Sequence, residues 1–194
     1  MIGRPRSFDE SAVLDSAMNT FWERGYDSTS YPDLVEAAGL GRQSLYQAFG
    51  DKRSLFTAVL RHYGECVTQE SIEILEADSS PTDNIRYWLN RLRERSGRHR
   101  NGCLLTNSAV EIVPHDAEIA HVVQKELLRV ERVLRDTIRR AVNTGELPEQ
   151  INAGELATYF FGIAQGLMVM GRLGLSRAKL KRYTDSALAV LDDE

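Results

Sequence analysis

Cysteine is scarce in this sequence: 194 residues hold two, Cys66 and Cys103. That is too few and too far apart for a disulfide framework or a zinc-ligand spacing, and it suits a reducing cytoplasm. No apolar run approaches the roughly 18 to 20 residues of a membrane span. The opening stretch MIGRPRSFDES has no apolar segment of a secretory signal. Histidine is represented four times, by His62, His99, His115 and His121. The last two are six apart and fall on different helix faces, unlike the i,i+4 pair of a helical metal site. A glycine-rich phosphate loop, a nucleophile elbow and a triad ordering are all missing. These absences argue against an enzyme, and neither a metal nor a cofactor is expected. A basic surplus is missing too. The net charge is −4, and within residues 1–50 Arg4, Arg6, Arg24 and Arg42 are outnumbered by Asp9, Glu10, Asp15, Glu23, Asp27, Asp33 and Glu36. Any binding to nucleic acid must come from placement of charge rather than from its sum.

What is present is helical periodicity. Strand-like alternation is nowhere sustained, and glycine and proline fall between apolar-periodic segments. Ser7 and Glu10 fit a capping box before a helix with Val13, Leu14, Ala17, Met18 and Phe21 on one face, ending near Gly25. Ser30 and Asp33 fit a second box, with Pro32 in the first turn, and that helix stops at Gly39. A third runs from about Arg42 to Gly50. Asp51 caps a longer one with Leu55, Phe56, Val59, Leu60 and Tyr63 on its buried side. Further on, the polar stretch from Asp78 to Asp83, with Pro81 within it, is a turn, and Ile85, Trp88, Leu89 and Leu92 mark an amphipathic helix. SGRHRNG breaks the pattern, and a short segment runs from Cys103 to Val113. Ile119, Val122, Val123, Leu127, Val130, Val133, Leu134, Ile138 and Val142 predict a helix of about seven turns closed by Gly145. Asn152 and Glu155 open a helix that is apolar almost all round from Leu156 to Leu173. A last helix carries Leu180, Tyr183, Ala187, Val190 and Leu191.

The segment TSYPDLVEAAGLGRQSLYQAFGDK is two short helices joined by a glycine-bearing turn, the helix-turn-helix arrangement whose second helix enters the major groove. Its Thr29, Ala37-Ala38-Gly39, Leu45-Tyr46, Phe49 and Lys52, preceded by Phe21 and Gly25, resemble the DNA-binding domain of the TetR family of bacterial repressors. The resemblance is strong over residues 7–63 and weaker beyond, where AVNTGELP and the helical pattern carry it. One departure is Gly41, where the family commonly has serine; glycine at an N-cap costs only a few tenths of a kcal/mol.

The expected architecture is all-α. Residues 1–50 form a three-helix helix-turn-helix DNA-binding domain, with a connecting helix to about 63. Residues 51–194 form a helical effector-binding and dimerisation domain. Arg42, Gln43 and Ser44 begin the recognition helix and are expected at base edges, where Arg42 suits guanine and Gln43 adenine. Tyr46 and Gln47 are assigned to phosphate or a thymine methyl, and Thr29 and Lys52 to backbone phosphate. Lys52 and Arg53 lie in a first helical turn, where cations oppose the helix dipole and make sense beside an arriving anion. Arg4 and Arg6 form an arm for the minor groove; the alternative for them is an unstructured tail.

The resemblance implies a homodimer on palindromic double-stranded DNA, a small-molecule effector and no membrane. The dimer is assigned to Gly162, Gly166, Leu167, Met170, Leu180, Tyr183, Ala187 and Val190; the alternative is a helix buried within its own subunit. A pocket for a small hydrophobic or aromatic effector is assigned to Trp88, Cys103, Leu104, Asn107, Val123, Leu127, Tyr159, Phe160, Gln165 and Met168, for each of which plain packing is the competing role. Cys103 follows Arg98, His99 and Arg100 in sequence, and a cationic setting favours thiolate. A thiol-based redox or electrophile sensor is therefore an alternative to a packed thiol. A repressor is the expected sign, since a dimer over a promoter blocks polymerase by occupancy. A helical scaffold that binds only protein would leave the basic residues at helix starts without a purpose.

Overall fold

Side-chain caps set the N-terminal helices in a computed structural model that describes residues 8–98 and 100–192. Helix α1 spans Glu10–Arg24, and Asp9 caps it, its carboxylate accepting from the N–H groups of Ser11 and Ala12. This replaces the expected cap at Ser7, which lies outside the described residues. Helix α2, Tyr31–Ala38, starts in a reciprocal box between Ser30 and Asp33 and ends at Gly39, whose φ of +62° is the left-handed conformation that glycine tolerates. Helix α3 is Arg42–Phe49. Helix α4, Lys52–Tyr63, is capped by Asp51. The four pack around Phe21, Leu34, Leu45, Leu55 and Phe56, all essentially buried. Phe21 and Phe56 meet edge to face at 4.7 Å.

α4 does not simply run on. It passes through a π-helical turn, Gly64–Thr68, into α5, Gln69–Glu76. Gly64 is pressed against Glu126, whose Oε2 would stand 2.6 Å from a Cβ at that position. The remaining helices are α6 (Pro81–Arg98), α7 (Leu104–Glu111), α8 (Ala117–Asn143), α9 (Ala153–Arg172) and α10 (Arg177–Leu188). α8 and α6 both pack on α9, and α10 packs on α6 and α9. Their shared core holds Leu75, Ile85, Trp88, Leu89, Ile119, Leu134, Ile138, Phe160 and Leu167. α6 and α9 approach so closely that a Cβ on Gly171 would lie 2.6 Å from Ser96 Cβ. The all-α expectation holds, with no strand among the described residues. No described helix is long and apolar enough to cross a membrane.

Several polar contacts join α1–α4 to the rest, among them the following. Trp22 Nε1 donates to the Gly102 carbonyl at 3.2 Å. The Asp27 amide donates to Glu111 Oε1 at 2.9 Å. Arg53 grips Asp116, the N-cap of α8, and reaches Glu118.

Candidate nucleic-acid interface and effector cavity

Helix α3 is built to show one face. Leu45 is completely buried and Phe49 half-buried against the core, which turns Arg42, Gln43, Ser44, Tyr46 and Gln47 outward, all exposed. Tyr46 is 59% exposed. No carboxylate occurs in this helix. Gly41, lacking a side chain, makes no cap bond, so the first-turn N–H groups remain available to an anion. Tyr31 of α2 steadies the face: its hydroxyl donates to the Gly50 carbonyl at 3.0 Å, its ring meets Tyr46 at 6.4 Å, and the Arg42 guanidinium lies over it at 5.9 Å. Burial raises the Tyr31 hydroxyl pKa, so it donates throughout the physiological range. Sequence reasoning passed over Tyr31.

The acidic balance of the first 50 residues looks different in place. Asp9 is occupied as a cap. Asp33 is held ionised chiefly by its bonds from Ser30 and is also paired with Arg24 at 3.0 Å.

Two expectations at this face, for Thr29 and Arg53, are corrected, and Lys52 is found already donating within the head. Thr29 is fully buried and its hydroxyl donates to the Gly25 carbonyl at 2.6 Å; it fixes the α1–α2 turn and offers no side chain to phosphate. Lys52 is half-buried: its ammonium donates to the Thr29 carbonyl at 2.8 Å and sits 4.3 Å from the centre of the Tyr26 ring. Arg53 does not await a phosphate, because Asp116 and Glu118 already neutralise it and hold its pKa above the usual guanidinium value. Their positions, more than sixty residues downstream, hid this pairing from local inspection. Arg4 and Arg6 lie outside the described residues, as does His99.

In the second group of helices, α4–α6 and α7–α9 enclose a cavity of about 50 Å³. Trp88, Cys103, Leu127, Gln165 and Met168, five of the ten pocket candidates, line it, together with Tyr63, Val67, Thr68, Ser71, Leu92, Arg95, Leu105, Val130, Phe161 and Ala164. The other five candidates are elsewhere. Leu104, Val123 and Phe160 are buried in the core and do not reach the cavity. Asn107 spends its amide on the Asn101 carbonyl at 2.8 Å. Tyr159 is 40% exposed on the outside of α9. Helix geometry explains the slip, since neighbours differ by about 100° in direction, and Phe161 rather than Phe160 lines the cavity. Tyr63 and Arg95 had a signal available, being polar groups on otherwise apolar helix faces.

The cavity's polar groups form a short chain. Arg95 Nη2 lies 3.5 Å from the Tyr63 hydroxyl, which donates to Cys103 Sγ at 3.5 Å. Burial first, then the sulfur, drives the Tyr63 pKa well above its ordinary value. Cys103 is buried, at 8% exposure, and the thiol-sensor alternative is not favoured. Trp88 Nε1 and Arg95 Nε are buried without a hydrogen-bond partner among the described residues.

On the outer surface, α9 presents Tyr159, Gly162, Gly166, Val169 and Leu173 in one stripe, beside Tyr183 of α10. Nothing lies within 4 Å of a Cβ built on Gly162 or Gly166. Met170 and Val190 are partly buried at its margin. Leu167, Leu180 and Ala187 are corrected from the expected contact surface to the subunit's own core, at 0%, 1% and 2% exposure. A groove of about 480 Å³ between α9 and α10 is lined by Tyr159, Ile163, Lys179 and Tyr183.

A helix-turn-helix head with an exposed polar recognition face, carried on an α-helical body with an internal cavity, defines a DNA-binding transcriptional regulator. Residues 13–59 match the model for bacterial regulatory proteins of the tetR family, and residues 83–187 that for the tetracyclin repressor-like C-terminal domain. The chain belongs to the TetR family. It is 33% identical to the uncharacterized HTH-type transcriptional regulator YezE of Bacillus subtilis strain 168, over 98% of this chain and 100% of that one. It is 31% identical to the HTH-type transcriptional repressor ComR of Escherichia coli K12, over 96% and 90%. A solved cysteine mutant of the TetR family regulator CifR, complexed with 26-bp double-strand operator DNA, superposes with a TM-score of 0.86 at 30% identity, covering 96% of this chain and 98% of that one.

Proposed function

We propose that this chain is a cytoplasmic, non-enzymatic repressor that binds a palindromic operator as a homodimer and is released by a small hydrophobic or aromatic effector. The observation that carries it is the face of α3: five polar or aromatic side chains exposed beside an uncapped helix start. In this reading residues 1–50 form the reading head and 51–194 the effector and dimer domain. Arg42 and Gln43 read bases, Ser44, Tyr46 and Gln47 complete the groove contacts, and the α3 N–H groups take a phosphate. The apolar stripe from Tyr159 to Leu173 supports a two-fold contact, because an apolar patch of that kind calls for a partner. CifR's solved complex with operator DNA and the repressor name of ComR support the sign and the target.

Effector release follows from the cavity's neighbours. At about 50 Å³ the cavity is far below the ~300 Å³ or more of a small-molecule site, so an effector binds only if the helices part. Cys103 is in its wall, and the adjoining Gly102 carbonyl holds Trp22 of α1. Parting the wall therefore moves the contact that seats the reading head, and a ligand with higher affinity for the parted form shifts the population toward it.

The test is selection of bound fragments from sheared host DNA by the purified protein at two salt concentrations. The expected result is an inverted repeat with half-sites about one helical turn apart. Enrichment of no sequence at either salt refutes the reading.

A further inference from the structure

We propose that the effector is a small apolar carboxylic acid, bound as its anion with the carboxylate on Arg95 and Trp88. This rests on the cavity being the effector site. Much of the cavity wall is apolar, from Val67, Leu92, Leu127, Val130 and Phe161, with Thr68, Ser71 and Gln165 as neutral polar neighbours, and no aspartate or glutamate lines it. The residues lining it bring two buried donors that have no acceptor among the described residues: Trp88 Nε1, on a side chain 2% exposed, and Arg95 Nε. An unmet buried donor is costly. Water could serve the neutral indole, but the guanidinium carries a charge. Among the described residues no carboxylate pairs with Arg95; its contacts are the Tyr63 hydroxyl at 3.5 Å and the Trp22 ring at 5.9 Å. A guanidinium donates in a planar fork that matches a carboxylate. The unfilled acceptor needed here is thus anionic and planar, and its remainder must be mainly apolar to fit the larger part of the wall.

Arg95 also explains how such a ligand would be felt. The same guanidinium lies over Trp22 of α1, whose indole N–H holds the Gly102 carbonyl. A carboxylate that draws Arg95 inward loosens its contact with Trp22. A neutral ligand of equal size fills the space but makes no such demand.

The experiment uses the full-length protein and two matched pairs, benzoate with benzamide and hexanoate with hexanamide, titrated calorimetrically and against the selected operator fragment. Each acid is expected to bind about ten- to a hundredfold more tightly than its amide, the range for a charged hydrogen bond, and to release DNA at correspondingly lower concentration. Arg95→Met should bring the acid-to-amide ratio close to one, and Trp88→Phe should reduce it less. The ratio is taken within one protein, so a general loss of stability does not mimic the effect. Amides that bind as tightly as acids, or a ratio unchanged in Arg95→Met, would overturn the carboxylate assignment and leave the cavity as effector site intact. If none of the four binds at millimolar concentration, the effector cavity falls and the carboxylate with it.

Discussion

Arg53 of α4 and Asp116 of α8 are joined at two points, Nε to Oδ2 at 2.6 Å and Nη2 to Oδ1 at 2.9 Å. The same carboxylate also caps α8, accepting from the amides of Glu118 and Ile119 at 3.1 Å each. One side chain therefore starts the longest helix of the body and holds the first turn of the helix that follows the recognition helix. The join is a charge-assisted fork with fixed geometry, so it transmits tilt as well as distance.

Because both partners serve one contact, Arg53→Met and Asp116→Asn should each lower the melting temperature, and the double variant should lose less than the sum of the two. Additive losses would show that the residues act independently.

Acid should open this join in a defined window. Asp116 is depressed to about 2, first by Arg53 and then by the Ile119 amide, against roughly 3.9 for an unfolded aspartate. A depressed carboxyl stabilises above its unfolded pKa and ceases to do so as pH falls through the folded value. Melts between pH 5 and pH 2 should fall more steeply for the parent protein than for Asp116→Asn; parallel curves would refute the coupling.

Arg42→Ala should weaken operator binding by about 1–3 kcal/mol and relax preference at one base position. Lys52→Ala should weaken all sequences alike and also lower the melting temperature, since its ammonium ties the Thr29 carbonyl to α4. Binding measured across a set of single-base operator variants separates the two. An Arg42 variant that loses affinity uniformly would move that residue from base to backbone.

Two glycines on α9 should respond in opposite ways. Gly171→Ala drives a Cβ to 2.6 Å from Ser96 Cβ and 2.9 Å from its carbonyl oxygen, and should cost about 1–3 kcal/mol of stability as an overpacked site. A Cβ on Gly166 meets nothing within 4 Å, and Gly166→Leu should instead lower the dimer fraction in sedimentation. A Gly166→Leu protein that stays dimeric at low concentration would place the two-fold contact elsewhere.

Local chemistry was legible in the sequence. The Ser30–Asp33 box, the Asp51 and Asn152 caps and the glycine stops are each written within four residues, and the structure places them there. The exposed face of α3 was equally readable, since Leu45 and Phe49 leave only one side outward. What failed depended on partners far along the chain. Arg53 looked like a phosphate ligand because Asp116 is remote, and Thr29 looked available because its acceptor is a backbone carbonyl. The cavity was half legible: composition marked the helices, but only their rotation decides between Phe160 and Phe161. Leu167, Leu180 and Ala187 were assigned outward because apolarity alone does not say which neighbour covers it.

The π-helical turn at Gly64–Thr68 acts as a phase shifter. A turn of this kind holds one residue more than an α-turn, so everything beyond it is rotated by about 100° relative to an uninterrupted helix. Upstream, Leu55, Val59 and Leu60 are wholly buried; downstream, Ile72 and Leu75 meet the body while Ser71, together with Val67 and Thr68 of the turn itself, reaches the cavity. Deleting one residue here would keep the helix yet swing Ile72 and Leu75 off their seats, so the length of this stretch serves as a ruler.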